Sequence, residues 1–333
     1  MTEEVAIIAD SIGKNFEFAR KVYDFLRGKK DVHVILVDIE KSVFKDGEFK
    51  VRISENIRRR RCFFIHDSNK QPCEWFTELV FVLEAIRFSS PEEINVILPY
   101  MRFARQERKE SSRVSVNAKA VADIISLYAT RGMTVDLHAG QIQEYFSIPF
   151  DNLYSSPVLI EHLKKNHPEI LDNLVIVSPD LGGGKRVESL MKRMIAKGIT
   201  ADIALGHKTR EKDNEVAKII IIGNVEGKNC LIVDDILDTG GTLVRTCEVL
   251  RSMRAAKVYA YCTHGIFSEG SEKLKCFDRV FVSDSLNAEN FENLEVISLG
   301  ELFGEAIYRT VIGESLSGLF DSVKIGQEKL KIE

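Results

Sequence analysis

The sequence predicts an α/β protein of two domains, each built on a mainly parallel sheet flanked by helices. Three observations predict this class. Short apolar runs alternate with helical patterns, the runs are continuously apolar, and the chain has 333 residues. Continuous apolar strands that alternate with helices are typical of parallel sheets that are covered on both faces. The length exceeds what one layered core usually needs, so two domains are expected.

The individual elements follow in chain order. The predicted strands are Val5–Ala9, Val32–Val37, Phe63–His66, Ile94–Leu98 and Met133–Val135, then Val175–Val177, Ile219–Ile222, Cys230–Val233, Val258–Tyr261 and Val280–Val282. The predicted helices include Phe16–Leu26, Phe76–Phe88, Ala118–Tyr128, Val187–Lys197 and Leu243–Arg254. In the last of these, Leu243, Cys247 and Leu250 recur on one helical face. We expect domains at 1–155 and 156–306, with a C-terminal helical segment at 307–333 that packs on the N-terminal domain.

Composition excludes several classes of protein. A formal net charge of −4 argues against a broad nucleic-acid surface, which normally needs a basic excess. The N-terminus has no basic stretch followed by an apolar run, and no apolar segment approaches the ~18 residues that span a bilayer. A cytoplasmic protein without membrane association is expected. The cysteines form no CxxC pair, and Cys230 and Cys247 lie in apolar patterns, so buried thiols are expected.

The segment 230–242 carries the strongest local signal. A predicted strand ends in two adjacent acids, Asp234 and Asp235, and a Gly-Gly turn then leads into a helix. Glycines let backbone amides approach a ligand closely, and amides at a helix N-terminus suit a phosphate dianion. The two carboxylates can accept hydrogen bonds from sugar hydroxyls. The alternative is that the acids only cap a turn. We predict a phosphorylated-ribose site, whose phosphate loop consists of Asp238, Thr239, Gly240, Gly241 and Thr242.

This segment resembles the phosphoribosyl-diphosphate motif shared by type I phosphoribosyltransferases and phosphoribosyl-diphosphate synthetases. Further segments, from about Ile7 to Phe320, resemble the ribose-phosphate pyrophosphokinase family. They are Phe44-Lys45-Asp46-Gly47-Glu48, Pro99-Tyr100, Ala104-Arg105-Gln106-Glu107-Arg108-Lys109, Asp136-Leu137-His138-Ala139-Gly140-Gln141-Ile142-Gln143, Ile148-Pro149-Phe150-Asp151-Asn152-Leu153, Ser178-Pro179-Asp180-Leu181-Gly182-Gly183, Lys185-Arg186 and Thr263-His264-Gly265-Ile266-Phe267-Ser268. The resemblance implies two type I phosphoribosyltransferase-like domains.

The resemblance also implies roles for residues that the sequence pattern alone leaves open. By pattern, Arg105 is a solvated helix start, His138 a hydrogen-bonded core residue, and Lys208–Asn214 a charged hairpin. By resemblance, Arg105 and Gln106 bind ATP, as do Phe44, Asp46 and Glu48 from a neighbouring subunit. It likewise implies that His138 and Asp180 hold Mg²⁺ directly or through water, and that Lys208 and Arg210 close on the phosphates. A homo-oligomer, hexameric or otherwise dimer-based, is implied.

The expected reaction transfers the β,γ-diphosphoryl group of ATP to the C1 hydroxyl of ribose 5-phosphate. The alternatives are a base phosphoribosyltransferase, a non-catalytic regulatory paralogue and, least supported, a nucleic-acid-binding module. Three segments depart from the family pattern: Arg58–Arg61, Cys73–Phe76 and Ser111–Val116. The arginine run is interpreted as a solvated patch facing an oligomer partner, with an altered phosphate or regulatory site as the alternative.

Overall fold

The structure is a computed structural model that describes residues 2–209 and 218–319. Its strands are β1 (Glu3–Ala9), β2 (Val32–Val43), β3 (Phe49–Ile53), β4 (Arg61–Ile65), β5 (Glu93–Leu98), β6 (Arg131–Val135), β7 (Phe150–Leu153), β8 (Leu174–Ser178), β9 (Ala201–Thr209), β10 (Lys218–Ile222), β11 (Asn229–Leu237), β12 (Lys257–Gly265), β13 (Arg279–Ser283) and β14 (Leu294–Ile297). Its helices are α1 (Phe16–Arg27), α2 (Pro72–Phe88), α3 (Asn117–Tyr128), α4 (Ser156–Asn166), α5 (Gly184–Ala196), α6 (Gly241–Ser252) and α7 (Gly300–Ile312). Short 3₁₀ helices occur at Gly140–Tyr145, Pro168–Leu171, Glu272–Cys276 and Leu316–Leu319.

The chain forms two compact units. The first runs to Tyr154 and also includes Ser285–Asn287 and Ser298–Leu316, while the second consists mainly of Ser155–Asp284 and Ala288–Ile297. Helix α7 therefore belongs to the first unit, where it packs against α1. The predicted border at residue 306 is wrong for the start of this helix, because its apolar face is buried against the first unit from Leu302 onwards.

The two sheets have the same strand order. The first is β3-β2-β1-β4-β5-β6-β7 and the second is β10-β9-β8-β11-β12-β13-β14. In both sheets the strand at the first edge is antiparallel to its neighbour and the other pairings are parallel. The strand order reverses between β1 and β4 in one sheet and between β8 and β11 in the other. Ligands of open α/β sheets bind beyond the carboxyl ends of the strands at such a switch point.

The central strands are continuously buried, which is typical of parallel strands that have helices on both faces of the sheet. Residues of β1 from Val5 to Ala9 and the whole of β8 are buried, as expected for strands with helices on both faces. In the second unit, helix α6 contributes Leu243, Cys247 and Leu250 to one apolar cluster, in the predicted periodicity. Cys230 is fully buried in the same cluster. The predicted α/β class with two mainly parallel sheets is confirmed.

The arginine run at residues 58–61 is only partly solvated, so the prediction of a single exposed patch is wrong for its second half. Arg58 and Arg59 are exposed. Arg60 pairs with Glu4 at 2.6 Å, and Arg61 donates to the backbone oxygen of Val311 at 2.7 Å. Val311 lies in the last turn of α7, whose carbonyl groups lack donor partners within the helix. Arg61 therefore anchors α7 to the sheet of its own unit.

Candidate active site

Asp234 and Asp235 lie within β11, because this strand continues to Leu237 instead of ending at Val233 as predicted. The parallel pairing with β12 extends through Asp234 opposite Cys262 and Ile236 opposite His264. The side chain of Asp234 is 23% exposed, whereas that of Asp235 is 5% exposed. The acids stand beside the switch point of the second sheet.

Arg186 holds both acids. Its Nη1 lies 2.9 Å from Asp234 Oδ1 and its Nη2 lies 3.0 Å from Asp235 Oδ1. Arg186 is in the first turn of α5, the helix that follows β8, so its guanidinium spans the switch point between β8 and β11. The pair Lys185-Arg186 is among the segments that resemble the family, but the sequence predicts no role for Arg186. The available signal was a basic pair that opens a helix directly after a buried strand.

The electrostatic state of Asp234 depends on this arrangement. Burial, with the negative charge of Asp235 as the next cause, raises the pKa of Asp234 to about 7, and Arg186 opposes that rise. Two carboxylates side by side repel each other, and a cation between them favours the ionised form. Near neutral pH, Asp234 is therefore balanced between accepting and donating a hydrogen bond. A ligand hydroxyl could therefore donate a hydrogen bond to ionised Asp234 or accept one from protonated Asp234.

The predicted phosphate loop, residues 238–242, joins β11 to α6. Gly240 has a φ of +73°, in the left-handed region, and α6 begins at Gly241. A Cβ at position 240 would lie 3.2 Å from Leu274 Cδ2 and 3.4 Å from Leu237 Cδ1, so the backbone conformation favours glycine and a larger residue would also displace the Leu274 side chain slightly. The first amides of an α-helix lack acceptors within the helix, and here they face the end of the strand. This geometry suits a phosphate group.

Asp180 lies on the other side of the switch point, in the turn after β8. Its Oδ1 accepts a hydrogen bond of 2.9 Å from the amide of Gly183, and Ser178 Oγ donates to its backbone oxygen at 2.6 Å. The residue is exposed. Carboxylate oxygens are the donors that Mg²⁺ prefers. The chemistry of Asp180 therefore fits the predicted metal, while its bond to Gly183 gives it a structural role as well.

His138 belongs to the first unit, in the loop after β6. The loop starts at Asp136, whose φ of +42° is unusual for a non-glycine residue, and the side chain of His138 is exposed. The alternative of a buried core histidine is therefore wrong. An imidazole is a weaker match for a hard ion such as Mg²⁺ than an oxygen donor. A contact through a water molecule would suit it better than direct ligation.

Arg105 and Gln106 lie in the loop after β5 of the first unit, and both are exposed. The amide of Gln106 donates to Phe103 at 3.0 Å, and its backbone oxygen accepts from Ala118 at 3.3 Å. The side chain of Asn117 donates to Gln106 Oε1. Helix α3 begins at Asn117, beyond this loop. Arg105 is thus part of a braced loop rather than of a helix start, contrary to the pattern-based expectation.

Phe44, Asp46 and Glu48 lie together on the turn between β2 and β3. The amide of Phe44 donates to Glu48 at 2.7 Å, and the amide of Glu48 donates to Asp46 Oδ1 at 3.1 Å. Phe44 is 52% exposed although it is aromatic, and both acids are exposed. The hairpin therefore presents one ring and two carboxylates to solvent at one side of the first sheet.

Lys208 is the last but one residue of β9, where it pairs with Ile219 of β10. The predicted loop 208–214 therefore starts as strand. Arg210 lies outside the described residues. The backbone of Lys208 is thus placed beside the edge strand β10 of the second sheet.

The loop after β4 occupies in the first unit the position that the phosphate loop occupies in the second. It contains Lys70 instead of a Gly-Gly turn. Lys70 Nζ lies 2.6 Å from Asp10 Oδ2 and 2.5 Å from Glu78 Oε1, and the side chains are 10%, 11% and 2% exposed respectively. Burial disfavours the charge of Lys70, but these two acids outweigh it and raise its pKa. The switch point of the first sheet is therefore closed by an ion pair.

Family models match both halves of the chain. Residues 8–128 match the N-terminal domain of ribose phosphate pyrophosphokinase. Residues 149–296 match the phosphoribosyl transferase domain. The two matches together span most of the two units. Among the described residues, no helix has the length and apolar character needed to cross a membrane.

Curated relatives and a solved structure agree with these matches. A ribose-phosphate pyrophosphokinase of Chlorobaculum tepidum is 40% identical over 320 residues, covering 94% of this chain and 95% of the relative. One from Brucella melitensis is 41% identical over 289 residues, covering 84% and 90%. The crystal structure of phosphoribosylpyrophosphate synthetase from Mycobacterium smegmatis superposes with a TM-score of 0.82 at 28% identity, covering 93% of this chain and 100% of that one.

Proposed function

The chain belongs to the ribose-phosphate pyrophosphokinase family, and from that premise we propose how its residues carry out the reaction. The enzyme converts ATP and ribose 5-phosphate into phosphoribosyl diphosphate and AMP, in the service of nucleotide biosynthesis. The observation that carries the proposal is the arrangement at the switch point of the second sheet. There a glycine turn at a helix N-terminus stands next to two carboxylates that share one guanidinium.

The residues that bind ribose 5-phosphate lie in the second unit. The amides of residues 239–242 and the hydroxyls of Thr239 and Thr242 bind the 5-phosphate, with Asp238 at the start of the loop. Asp234 and Asp235 accept hydrogen bonds from the ring hydroxyls. Arg186 favours the ionised form of Asp234 and orients the two carboxylates, so the ring is presented with its C1 hydroxyl outwards.

The bond changes are simple. The C1 oxygen of ribose attacks the β-phosphorus of ATP, and the bond from that phosphorus to the oxygen bridging to the α-phosphorus breaks. AMP leaves with the electron pair, and the hydroxyl proton passes to solvent. Reactions of this kind need alignment and charge neutralisation rather than a covalent intermediate. We assign the neutralising role to Lys208 and Arg210.

The residues that bind ATP lie in the first unit. Arg105 and Gln106 bind ATP from the braced loop after β5. Phe44, Asp46 and Glu48 contribute to the ATP site of a neighbouring subunit in a homo-oligomer. The two sets of residues come from different parts of the first sheet, because β2 and β5 are three strand positions apart, about 14 Å at a strand spacing of about 4.8 Å.

Mg²⁺ is the proposed cofactor: Asp180 is its proposed oxygen ligand in the second unit, and His138 is the residue of the first unit that the family resemblance assigns to Mg²⁺, through water. When bound, the ion neutralises phosphate charge and favours departure of AMP. The carboxylate of Asp180 is oriented for that purpose by its hydrogen bond to Gly183. Its rotamer is therefore fixed before any ligand arrives.

The test is a coupled assay of AMP release with ATP and Mg²⁺, run with and without ribose 5-phosphate. We expect release only with the sugar, and a product that retains both transferred phosphates by mass spectrometry. A parallel incubation of phosphoribosyl diphosphate with purine or pyrimidine bases should produce no nucleotide. AMP release that ignored ribose 5-phosphate, or nucleotide formation from bases, would contradict the proposal.

A further inference from the structure

Two histidines and a glutamate converge on the second unit at a place that the reaction does not use. His162 lies in the last turns of α4, His167 follows that helix, and Glu295 is in the edge strand β14. His162 Nε2 lies 2.7 Å from Glu295 Oε1, and His167 Nε2 lies 2.8 Å from Glu295 Oε2. One donor atom from each side chain lies within 4.8 Å of the other two.

The two imidazoles are held in place by packing. Both rings pack edge-on against Phe281 of β13, with centroid distances of 6.1 Å for His162 and 5.4 Å for His167. Phe281 is fully buried in the core of the unit. Rings that rest on a core residue keep their direction, so their nitrogens point at Glu295 without help from a ligand. The site is therefore formed before binding.

The outer nitrogen of each ring also has a partner. His162 Nδ1 lies 3.1 Å from the side-chain amide of Asn166, and His167 Nδ1 lies 3.5 Å from Glu169 Oε1. Histidines that bind metals usually donate their second ring proton to a carboxylate or a carbonyl oxygen. Glu169 offers a carboxylate, and Asn166 offers the carbonyl end of its amide after rotation. Both rings can then direct an Nε2 lone pair inwards.

The fourth polar group at the cluster is Arg279 of β13. Its Nη1 lies 2.6 Å from Glu295 Oε2. The arginine occupies one carboxylate oxygen and leaves the carboxylate oriented for a ligand on Oε1.

We propose that His162, His167 and Glu295 form a binding site for a divalent transition metal ion of the zinc type. Two imidazoles and one carboxylate are a ligand set that zinc uses, with water in the fourth position. The side chains are 19%, 12% and 24% exposed, which leaves a route for the ion and for that water. Tetrahedral zinc with bonds of about 2.0 to 2.1 Å spaces its donors about 3.3 Å apart, and one donor atom of each side chain already lies within 4.8 Å of the others, so side-chain shifts would bring the three to that spacing.

The site would link α4 to the edge strand β14. Glu295 is near the start of β14, whereas the phosphate loop follows the end of β11 in the same sheet. The ion is accordingly expected to stabilise the second unit without taking part in the transfer. A metal that binds only the folded form raises stability by mass action.

The test uses the full chain, with Cys73→Ser to remove an exposed thiol and with Mg²⁺ in excess to occupy the proposed catalytic metal site. Zn²⁺ affinity is measured by competition with a chromophoric chelator, and Co²⁺ serves as a spectroscopic probe. We expect one tight site and a visible Co²⁺ band. His162→Gln and His167→Gln should each weaken Zn²⁺ binding by about tenfold or more. The matched control is His33→Gln, since exposed His33 pairs with a single glutamate, Glu4, at 2.9 Å.

Equal Zn²⁺ binding by the wild type and both histidine variants would overturn the proposal, as would equal weakening by His33→Gln. Circular dichroism and AMP release should match the wild type in each variant. If a variant does not fold, the ¹⁵N resonances of the wild-type imidazoles decide the question. Zn²⁺ should move the Nε2 signals of His162 and His167, and unchanged signals would equally overturn the proposal.

Discussion

Replacement of Arg186 by glutamine should shift the pH dependence of the enzyme, because this guanidinium favours the ionised form of Asp234. Its Nη1 and Nη2 lie 2.9 and 3.0 Å from the two acids, and its side chain is 28% exposed. Two unit charges about 4 Å apart interact by about 4 kcal/mol at an effective dielectric constant of about 20, which is an upper limit here. An arginine beside an aspartate typically lowers its pKa by about 1 to 3 units. Since Arg186 is partly exposed, we take about one unit.

The sign and size follow from the pKa of Asp234, which burial raises to about 7. If ionised Asp234 binds the sugar, kcat/KM for ribose 5-phosphate rises as pH increases through that pKa. Loss of the cation moves the rise to higher pH. At pH 7 a shift of about one unit lowers the ionised fraction from about a half to about a tenth, or about fivefold. The loss from ionisation should then disappear towards about pH 9.

The assay is AMP release across this pH range at subsaturating ribose 5-phosphate. The matched control is Arg193→Gln, in the same helix, because Arg193 bonds to the hydroxyls of Ser156 and Ser189 at 3.0 and 2.8 Å. The control should keep the wild-type profile. An acid limb that stays in place in Arg186→Gln, with kcat/KM lowered equally at every pH, would refute the electrostatic role.

Three further substitutions test other parts of the proposal. Lys208→Ala should slow turnover by several orders of magnitude with ribose 5-phosphate affinity nearly unchanged; turnover close to wild type in the coupled assay would contradict the role. Gly240→Ala places a Cβ at a φ of +73°, which costs about 1 to 2 kcal/mol, so the thermal transition should fall by a few degrees and KM for ribose 5-phosphate should rise. Asp180→Asn should raise the Mg²⁺ concentration for half-maximal activity by about tenfold. An unchanged Mg²⁺ titration would remove Asp180 from the metal site.

Most of the central strands of both sheets could be predicted from sequence because they are continuously apolar. The strands that the sequence did not reveal are β3, β7, β9 and β14; β3, β7 and β14 lie at sheet edges, and β9 lies next to the edge strand β10. Edge strands are short and often polar, as in Phe150–Leu153, where the two middle residues are Asp151 and Asn152. Their strand conformation depends on pairing with a neighbour, and that pairing is not visible in a local pattern.

The candidate site shows a similar limit. The phosphate loop and the two acids are contiguous in the chain, so their residue types and order predict a ligand. Arg186 lies 48 residues before Asp234, and its contact depends on the adjacency of β8 and β11. Strand order is a property of the whole sheet. A pairing of this kind therefore becomes visible only when the fold is known.

The filled switch point of the first sheet makes the duplicated scaffold functionally asymmetric. A phosphate arriving there would have to displace Asp10 and Glu78 from the ammonium of Lys70, and it would meet no glycine turn through which backbone amides could approach. The two units share one strand order, but only the second provides a binding site for the sugar phosphate. The expected stoichiometry is one ribose 5-phosphate per chain, and the first unit is expected to bind ATP instead.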